Sequence, residues 1–497
     1  MNELLKDMEV PKAISRIAVA GNGIEAWLAV NYLLAGLGSR QVELTVLPVP
    51  GSDALDELYR IVPADIDIGL GSIGLSGAVL ARECRASFSL GAQVNGHFKP
   101  YGKVGLDFQG LPFHHHALRS DASMGPAEYF SWSPATVAMR RNAFAPPSQR
   151  NAIGKLRHEV ACHVDTGLLT SLLRERAIRH GVGISQGSLK SVIRTQGSDR
   201  IVGLVNTLGE TIQADLYVDC SGHERALMHG AAAMSWIPAP SLPAFQIAIS
   251  KIEQSGMPPP WHRLTSGSDG WELNIPGPAT QTQIILASEA TRKDTRAFAP
   301  GHLAKPWIDN CVALGLAAAT LLPIEPVHTK FLCISINRMI TLLPGADCAA
   351  GETAEYSHLA LTDLEEIHDL CAAYELARHQ GRLDLNCVDI VTIHESLRKR
   401  LRLFRKCGWI AAADSDFLEP ADWAGVFILL GLVPEAASRL ASRMPLATLV
   451  SHMSKLKAQI EKTAAEFPLH QEFLNAVLSA PRGNDTNRPT IRPDLLT

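Results

Sequence analysis

The spacing of apolar positions changes along the first fifty residues of the chain. A short apolar run, Ile17 to Ala20, leads into a glycine turn, and apolar residues then recur every three to four positions, the spacing of one helix face. A second apolar run rich in β-formers, Val42 to Leu47, follows. This order predicts strand, turn, helix and strand within about thirty residues, the length of a dinucleotide-binding βαβ unit.

The turn of this unit has the small residues that such a site needs. Gly21 permits the tight turn, Gly23 lets the backbone approach a pyrophosphate, and Ala26 allows close packing of helix on strand. The helix N-terminus would offer N–H groups to the phosphates. The alternative is an ordinary βα turn in a parallel sheet. Leu47 and Pro48 stand where an acidic residue would hold the adenosine ribose, which predicts a reduced affinity for the cofactor. The predicted cofactor-binding residues here are Gly21, Gly23, Ile24, Glu25 and Ala26.

Later segments predict a second face of the same site. The run 160–182 reads as an amphipathic helix capped by Asp165 or Thr166, and a small antiparallel insertion then leads back to the main sheet at Leu216–Cys220. That strand brings Asp219, Ser221 and Gly222 to the carboxyl edge of the sheet, where ligands of open α/β sheets gather. We therefore expect Asp219 and Gly222 to bind the cofactor.

Strand-like alternation recurs at 86–98 and between 234 and 299, which predicts an inserted sheet that covers a substrate. The run 306–326 predicts a short strand and then a helix start built of small residues, where a planar group could approach Gly315 and Leu316. From about Leu361 the pattern is mainly helical, and residues 481–497 form a Pro- and Asn-rich tail.

Composition narrows the class of partner. The chain has 497 residues, of which 46% are hydrophobic and 19% charged, with a net charge of −4. The absence of basic blocks argues against nucleic acid and anionic membranes as partners. The longest apolar runs, 313–324 and 426–433, are too short to span a bilayer. With no apolar leader at the start of the sequence, we expect a cytoplasmic protein.

Histidine and cysteine residues do not form a recognisable metal motif. The nine cysteines include no CxxC pair, so buried free thiols are expected. His114, His115 and His116 follow an apolar segment interpreted as a strand, on which alternate side chains point to opposite faces. A structural or pocket-lining role is therefore favoured over a metal site.

Eight segments, in order along most of the chain, resemble the flavin-dependent tryptophan halogenase family: IAVAGNGIEAWLA, ASFSLG, HFKPYG, HVDTGLL, ADLYVDCSGHERALM, GWELNIPG, WIDNCVALGLAAATLLPIEP and DWAGVFILLGLVP. The resemblance implies an α/β fold with a Rossmann-type FAD-binding sheet domain similar to that of FAD-dependent monooxygenases. It places this domain at 1–350, interleaved with a substrate-side sheet at about 85–125 and 234–300, and a helical module at 351–480. It also implies reduced FAD from a separate flavin reductase, and a flavin hydroperoxide that oxidises halide to hypohalous acid.

The family motifs carry over residue by residue. Ser89 stands where the family has its essential lysine, and Glu325 matches the essential glutamate. Val327 and His328 replace the Thr-Gly pair of the halide site, and Leu273 replaces the second tryptophan of the W-x-W-x-I-P signature. The predicted catalytic residues are Glu325, Ser89 and His328, and the predicted substrate residues are Trp271, Ile275, Pro276 and Phe88.

Each of these residues has a structural alternative: Glu325 could be solvated or a cap, His328 is favoured as a packing residue, and Trp271 could fill the core. Two main functions follow. The first is an enzyme that halogenates or oxygenates an indole or another electron-rich aromatic ring. The alternative is a halogenase-like protein that binds flavin or another ligand and has no halogenating activity, because a serine hydroxyl cannot replace a lysine ammonium. The sequence leaves the substrate, the halide and a homodimer open.

Overall fold

The structure is a computed structural model that describes residues 12–38, 42–63, 70–121, 124–148, 153, 156–239, 241–289, 294–380, 393–411, 417–436 and 438–480. The helices in these ranges are α1 (Ile24–Leu37), α2 (Gly77–Glu83), α3 (Phe113–Ser120), α4 (Pro126–Phe130), α5 (Pro134–Met139), α6 (Thr166–Arg179), α7 (Val327–Thr341), α8 (Ala350–Gln380), α9 (Glu395–Cys407), α10 (Pro420–Leu429), α11 (Leu446–Ala465) and α12 (His470–Ser479).

The strands are β1 (Arg16–Ala20), β2 (Glu43–Leu47), β3 (Ile61–Pro63), β4 (Ser87–Ser89), β5 (Gly91–Val94), β6 (His97–Pro100), β7 (Ala161–His163), β8 (Gly183–Ile184), β9 (Leu189–Arg194), β10 (Ile201–Asn206), β11 (Thr211–Ile212), β12 (Leu216–Asp219), β13 (Trp236–Pro238), β14 (Phe245–Glu253), β15 (His262–Gly267), β16 (Gly270–Ile275), β17 (Thr280–Ala287), β18 (Arg296–Phe298), β19 (Gly301–Leu303), β20 (Trp307–Ile308), β21 (Cys311–Ala313) and β22 (Ala319–Thr320).

The predicted βαβ unit lies at the centre of a six-stranded sheet with the order β20-β21-β12-β1-β2-β8. Apart from the antiparallel pair β20 and β21, neighbouring strands in this sheet are parallel. β1 is buried from Ile17 to Ala20, as expected for a parallel strand that helices cover on both faces. α1 packs against α6 and α7. This confirms the Rossmann-type sheet and the return of the chain at Leu216.

A second sheet has seven strands, in the order β18-β14-β17-β16-β15-β5-β6. Its last two strands form a hairpin around Asn95 and Gly96, which both have positive φ angles of 46° and 89°. This is the turn chemistry that an Asn-Gly pair favours. The hairpin pairs Ala92 with Lys99. A Cβ at Gly91 would lie 2.1 Å from the Lys99 carbonyl oxygen, so glycine lets β6 approach.

Some predicted elements were wrong in type. The three histidines lie on α3, a helix, and its first N–H, that of Phe113, donates to Asp107 Oδ1 at 2.8 Å. The predicted helix 160–182 begins only at Thr166, after strand β7, and Asp165 caps it by accepting from Leu168 N at 3.0 Å. The helix start expected at Gly315 is a single 3-10 turn, Gly315–Ala317. The predicted tail lies outside the described residues.

Absences can be stated for the described part of the chain only. The eight cysteines found there are unpaired, and seven of them are buried, as predicted. Within the same ranges, no group of three or more histidine, cysteine or acidic side chains could hold a metal ion. No helix among the described residues is long and apolar enough to cross a membrane.

Candidate active site

Glu325 lies in the short connection between β22 and α7, where it contacts two other elements. Lys99 on β6 places its Nζ 3.0 Å from Glu325 Oε1, and the side chains are only 14% and 12% exposed, respectively. The Tyr374 hydroxyl, on α8, donates to the same oxygen at 2.5 Å. Three distant segments of the sequence therefore meet at one carboxylate, which has an ammonium and a phenol as its partners.

Ser89 lies at the end of β4, fully buried, and is part of a separate hydrogen-bond chain. Its Oγ donates to Gly91 O at 3.1 Å and lies 3.4 Å from the Tyr101 hydroxyl. That hydroxyl is in turn 3.2 Å from His262 Nδ1. Burial lowers the pKa of His262 to about 4, so this histidine is neutral near pH 7. The serine therefore positions Tyr101 and carries no charge into the site.

The predicted substrate residues are placed by packing and by one hydrogen bond. The Trp271 indole N–H donates to Glu375 Oε2 at 2.8 Å, and its ring meets Tyr374 edge to face, with 6.1 Å between centroids. Trp271 thus lies directly behind the tyrosine that binds Glu325. Phe88 packs among aromatic rings, including that of Phe144 at 5.2 Å. Ile275 and Pro276 are buried where β16 ends.

His328 is a core residue at the start of α7. Its ring packs edge to face on Tyr59, with 5.8 Å between centroids. Within the described structure, its Nε2 has no hydrogen-bond partner, and burial lowers its pKa to about 3. A ring that stays neutral at physiological pH favours the packing interpretation over that of a proton shuttle.

The glycine turn has the predicted shape, but two of its N–H donors already have acceptors within the chain. The N–H of Asn22 donates to Ser52 Oγ and that of Ile24 donates to Asp56 Oδ2, both at 2.9 Å. Ser52 and Asp56 belong to the segment that follows β2 and lies over the turn. Burial raises the pKa of the Asp56 carboxyl to about 7. The N-terminus of α1, where a phosphate would bind, is capped by a carboxyl of the chain itself.

Glu25 fills another part of the cofactor crevice, by which we mean the space that Gly23, Gly222 and Gly315 border. It is fully buried, and its Oε1 accepts from Leu316 N at 2.7 Å and from the Tyr59 hydroxyl. Burial raises its pKa to about 8, partly offset by these hydrogen bonds. Two of the N–H groups that a pyrophosphate would bind, those of Asn22 and Ile24, therefore already have acceptors within the chain.

Asp219 and Gly222 lie at the predicted sheet edge. The Asp219 carboxylate accepts from Ser221 through Oδ1, and from the N–H groups of Leu227 and Met228 through Oδ2 at 2.8 and 3.0 Å. Asp219 thus shapes the loop after β12, and Gly222 borders the crevice. Their binding of a cofactor stays a prediction.

Sequence reasoning missed Lys99 and Tyr374. A signal for Lys99 was present: the Asn95-Gly96 pair predicts a two-residue hairpin, and counting back along its arms brings Lys99 opposite Ala92, close to the Ser89 position. Tyr374 had no local signal, because its contact with Glu325 depends on how α8 packs.

Comparison with known proteins agrees with this architecture. The model of the tryptophan halogenase family matches residues 16–446. Tryptophan 7-halogenase RebH of Lentzea aerocolonigenes is 21% identical over an alignment that covers 88% of this chain and 93% of RebH. BrvH, a flavin-dependent halogenase from Brevundimonas sp. BAL3, superposes with a TM-score of 0.84 at 22% identity, over 93% of this chain and 99% of BrvH. Xcc4156, a flavin-dependent halogenase from Xanthomonas campestris, gives a TM-score of 0.83 at 25% identity, over 95% of this chain and 100% of Xcc4156. The chain therefore belongs to the tryptophan halogenase family.

Proposed function

We propose that this chain halogenates an electron-rich aromatic ring, such as an indole, with Lys99 and Glu325 as its catalytic pair. The observation that carries the proposal is the 3.0 Å contact between Lys99 Nζ and Glu325 Oε1 in a largely buried setting. Ser89 lacks the charge of the family lysine, and Lys99 brings an ammonium to the predicted carboxylate from a neighbouring hairpin. The loss of lysine at position 89 therefore does not leave the site without one.

The pair provides both proton transfers of aromatic halogenation by hypohalous acid. The Lys99 ammonium donates a proton to the oxygen of the acid, which leaves as water while the halogen bonds to a ring carbon. Glu325 takes the proton that the same carbon loses, and passes it to Lys99 across their 3.0 Å contact. The ring and the acid become a halogenated ring and water, and both side chains return to their starting charge.

Tyr374 and Trp271 support Glu325 from behind. The Tyr374 hydroxyl fixes the carboxylate that has to face the ring, and Trp271 holds the tyrosine in place through edge-to-face packing. Glu375, which accepts the Trp271 N–H, is itself paired with Arg378. A base held by partners whose own rotamers are fixed needs little rearrangement when it reacts.

Family membership confirms several predictions. The chain belongs to a family of flavin-dependent oxidoreductases that act on aromatic substrates. FAD that a separate flavin reductase has reduced is the cofactor of this family, and a halide is its co-substrate. An indole as the ring, a homodimer, a cytoplasmic location and the predicted domain limits remain proposals for this chain.

The test supplies purified protein with FAD, a flavin reductase, NADH, bromide or chloride, and a panel of indoles and phenols, and detects halogenated product by mass spectrometry. Product is expected from at least one ring. Lys99→Met and Glu325→Gln should each lower its rate at least 100-fold, whereas Ser89→Ala should stay within about threefold. Detection of a product that carries oxygen and no halogen would show that the chain oxygenates the ring and does not halogenate it.

A second function has its own supporting observation. The closed cofactor crevice favours a halogenase-like protein that binds a ligand without flavin chemistry. Under that alternative no ring in the panel reacts, with either halide, even at millimolar FAD. The same outcome would refute the proposed halogenation.

A further inference from the structure

Carboxyl groups of the chain lie close against two of the glycines that border the crevice. A Cβ added to Gly23 would lie 2.5 Å from Asp56 Oδ1, and one added to Gly315 would lie 2.3 Å from Glu25 Oε1. At the third glycine, Gly222, the nearest atom would be the Ser52 carbonyl oxygen at 3.3 Å. The space that these glycines leave open is therefore occupied by acidic side chains and by the segment 49–60.

The segment that brings Asp56 and Ser52 over the turn is held by a second set of contacts. Glu57 Oε1 accepts from Thr166 at 2.7 Å and pairs with Lys251 Nζ at 3.0 Å. Glu57 Oε2 accepts from Thr282 at 3.0 Å and pairs with Arg60 at 3.2 Å. These partners lie on α6, β14, β17 and the segment itself. Glu57 therefore fastens the segment to the rest of the molecule without contacting the glycine turn.

We propose that this chain closes its own dinucleotide crevice, with Asp56 and Glu25 in the place of the cofactor's phosphates, so that flavin binds only when the segment 49–60 moves away. A pyrophosphate needs the same N–H groups that Asp56 and Ser52 now accept from, and the space at Gly315 that the Glu25 side chain fills. FAD binding is therefore in competition with a contact made within the chain. The proposal concerns binding alone and does not depend on the reaction at Lys99.

The first test is a titration with oxidised FAD, followed by quenching of flavin fluorescence. Asp56→Ala removes the competing acceptor and should lower the Kd for FAD at least tenfold relative to the natural chain. Asp53→Ala is the matched control, since it removes an equal charge three residues earlier on the same segment, where the side chain is exposed. The control should leave the Kd within about twofold, because screening weakens exposed charges.

The second test releases the segment from a distance. Glu57→Gln weakens its attachment to Lys251 and Arg60 and leaves Asp56 in place, so the Kd should fall here too, by less than for Asp56→Ala. In the natural chain, saturating FAD should increase amide hydrogen exchange across residues 49–60. This readout stays available if Asp56→Ala proves unstable.

Either of two results would overturn the proposal. One is an unchanged or weaker Kd in a folded Asp56→Ala protein, with Glu57→Gln also unchanged. The other is tight FAD binding to the natural chain with no change in exchange at 49–60. Because Lys99→Met should bind FAD as the natural chain does, its loss of product would be attributed to the reaction and not to the crevice.

Discussion

Replacement of Lys99 by methionine tests whether catalysis depends on the ammonium of Lys99 or is supported by Ser89, which stands at the position of the family lysine. Methionine keeps most of the length of the lysine side chain and removes its charge and its three donors. Glu325 would keep the Tyr374 hydroxyl as its partner, so the variant should fold. Ser89, still in place, would show whether its position contributes any activity alone.

The size of the effect follows from what Lys99 does in the reaction. Loss of one charged donor aimed at a developing negative oxygen costs about 2.7–4 kcal/mol in the transition state, or roughly 100- to 1000-fold in rate. The cost in stability is smaller. Lys99 and Glu325 are mostly but not fully buried, and losing one partner of such a pair costs about 1–3 kcal/mol, below the roughly 3–5 kcal/mol of a fully buried pair. We therefore expect a variant that still folds and whose main loss is in the rate of product formation.

The assay measures initial rates of product formation at saturating substrate, with FAD binding and thermal unfolding measured on the same samples. Lys103→Met is the control, because Lys103 also pairs with a glutamate, Glu419 at 2.9 Å, but with side chains that are 52% and 62% exposed. The control should keep its rate. A Lys99→Met protein that binds FAD and retains more than a third of the normal rate would refute the role of Lys99.

Three further predictions concern Ser89, Tyr374 and Glu25. If a lysine on β4 can replace the lysine on β6, the double variant Lys99→Met with Ser89→Lys should form product at least tenfold faster than Lys99→Met alone. The same product assay measures both rates. No gain in rate would mean that only a lysine on β6 supports the reaction. Tyr374→Phe removes one of the two hydrogen-bond donors to the Glu325 carboxylate and leaves Lys99 in place. In initial-rate kinetics, kcat should fall about threefold to tenfold with little change in KM. Burial raises the pKa of Glu25 to about 8, whereas the unfolded chain releases this proton near pH 4.5. The free energy of unfolding should therefore decrease as the pH rises from 4.5 to 8, by up to about 1.4 kcal/mol per pH unit. Glu25→Gln should flatten this slope in thermal unfolding at pH 5.5 and pH 8; an equally steep slope in the variant would place the effect elsewhere.

The parts of the fold with a strong period were predictable. β1 and α1 follow from the apolar run and the three-to-four spacing, because a buried strand and its covering helix dictate the pattern directly. The short helix α3 was missed for the opposite reason. Eight residues are too few to establish a period, and the side chain that caps the helix, Asp107, lies six residues before it.

The site was predictable where a motif carries it and not where the fold assembles it. Glu325 was predicted from its motif, and the structure places it against Lys99 and Tyr374, while its catalytic role stays a prediction. Lys99 was missed because motif comparison assigns roles by position along the chain, whereas charge acts through space. The hairpin pairs Lys99 with Ala92, three residues after Ser89, and the ammonium of Lys99 reaches Glu325 from there.

The two ends of the site thus differ from their motifs in opposite ways. Near Glu325, Ser89 on β4 carries no charge, and the proposed catalytic ammonium is that of Lys99 on β6. At the glycine turn the motif is present, but Asp56 and Ser52 accept from two of the N–H groups that it exposes. These changes act on different steps, since the first concerns the reacting ring and the second concerns flavin. A low rate at low flavin that recovers as flavin is raised therefore reports on the crevice, and a rate that stays low at saturating flavin reports on Lys99 and Glu325.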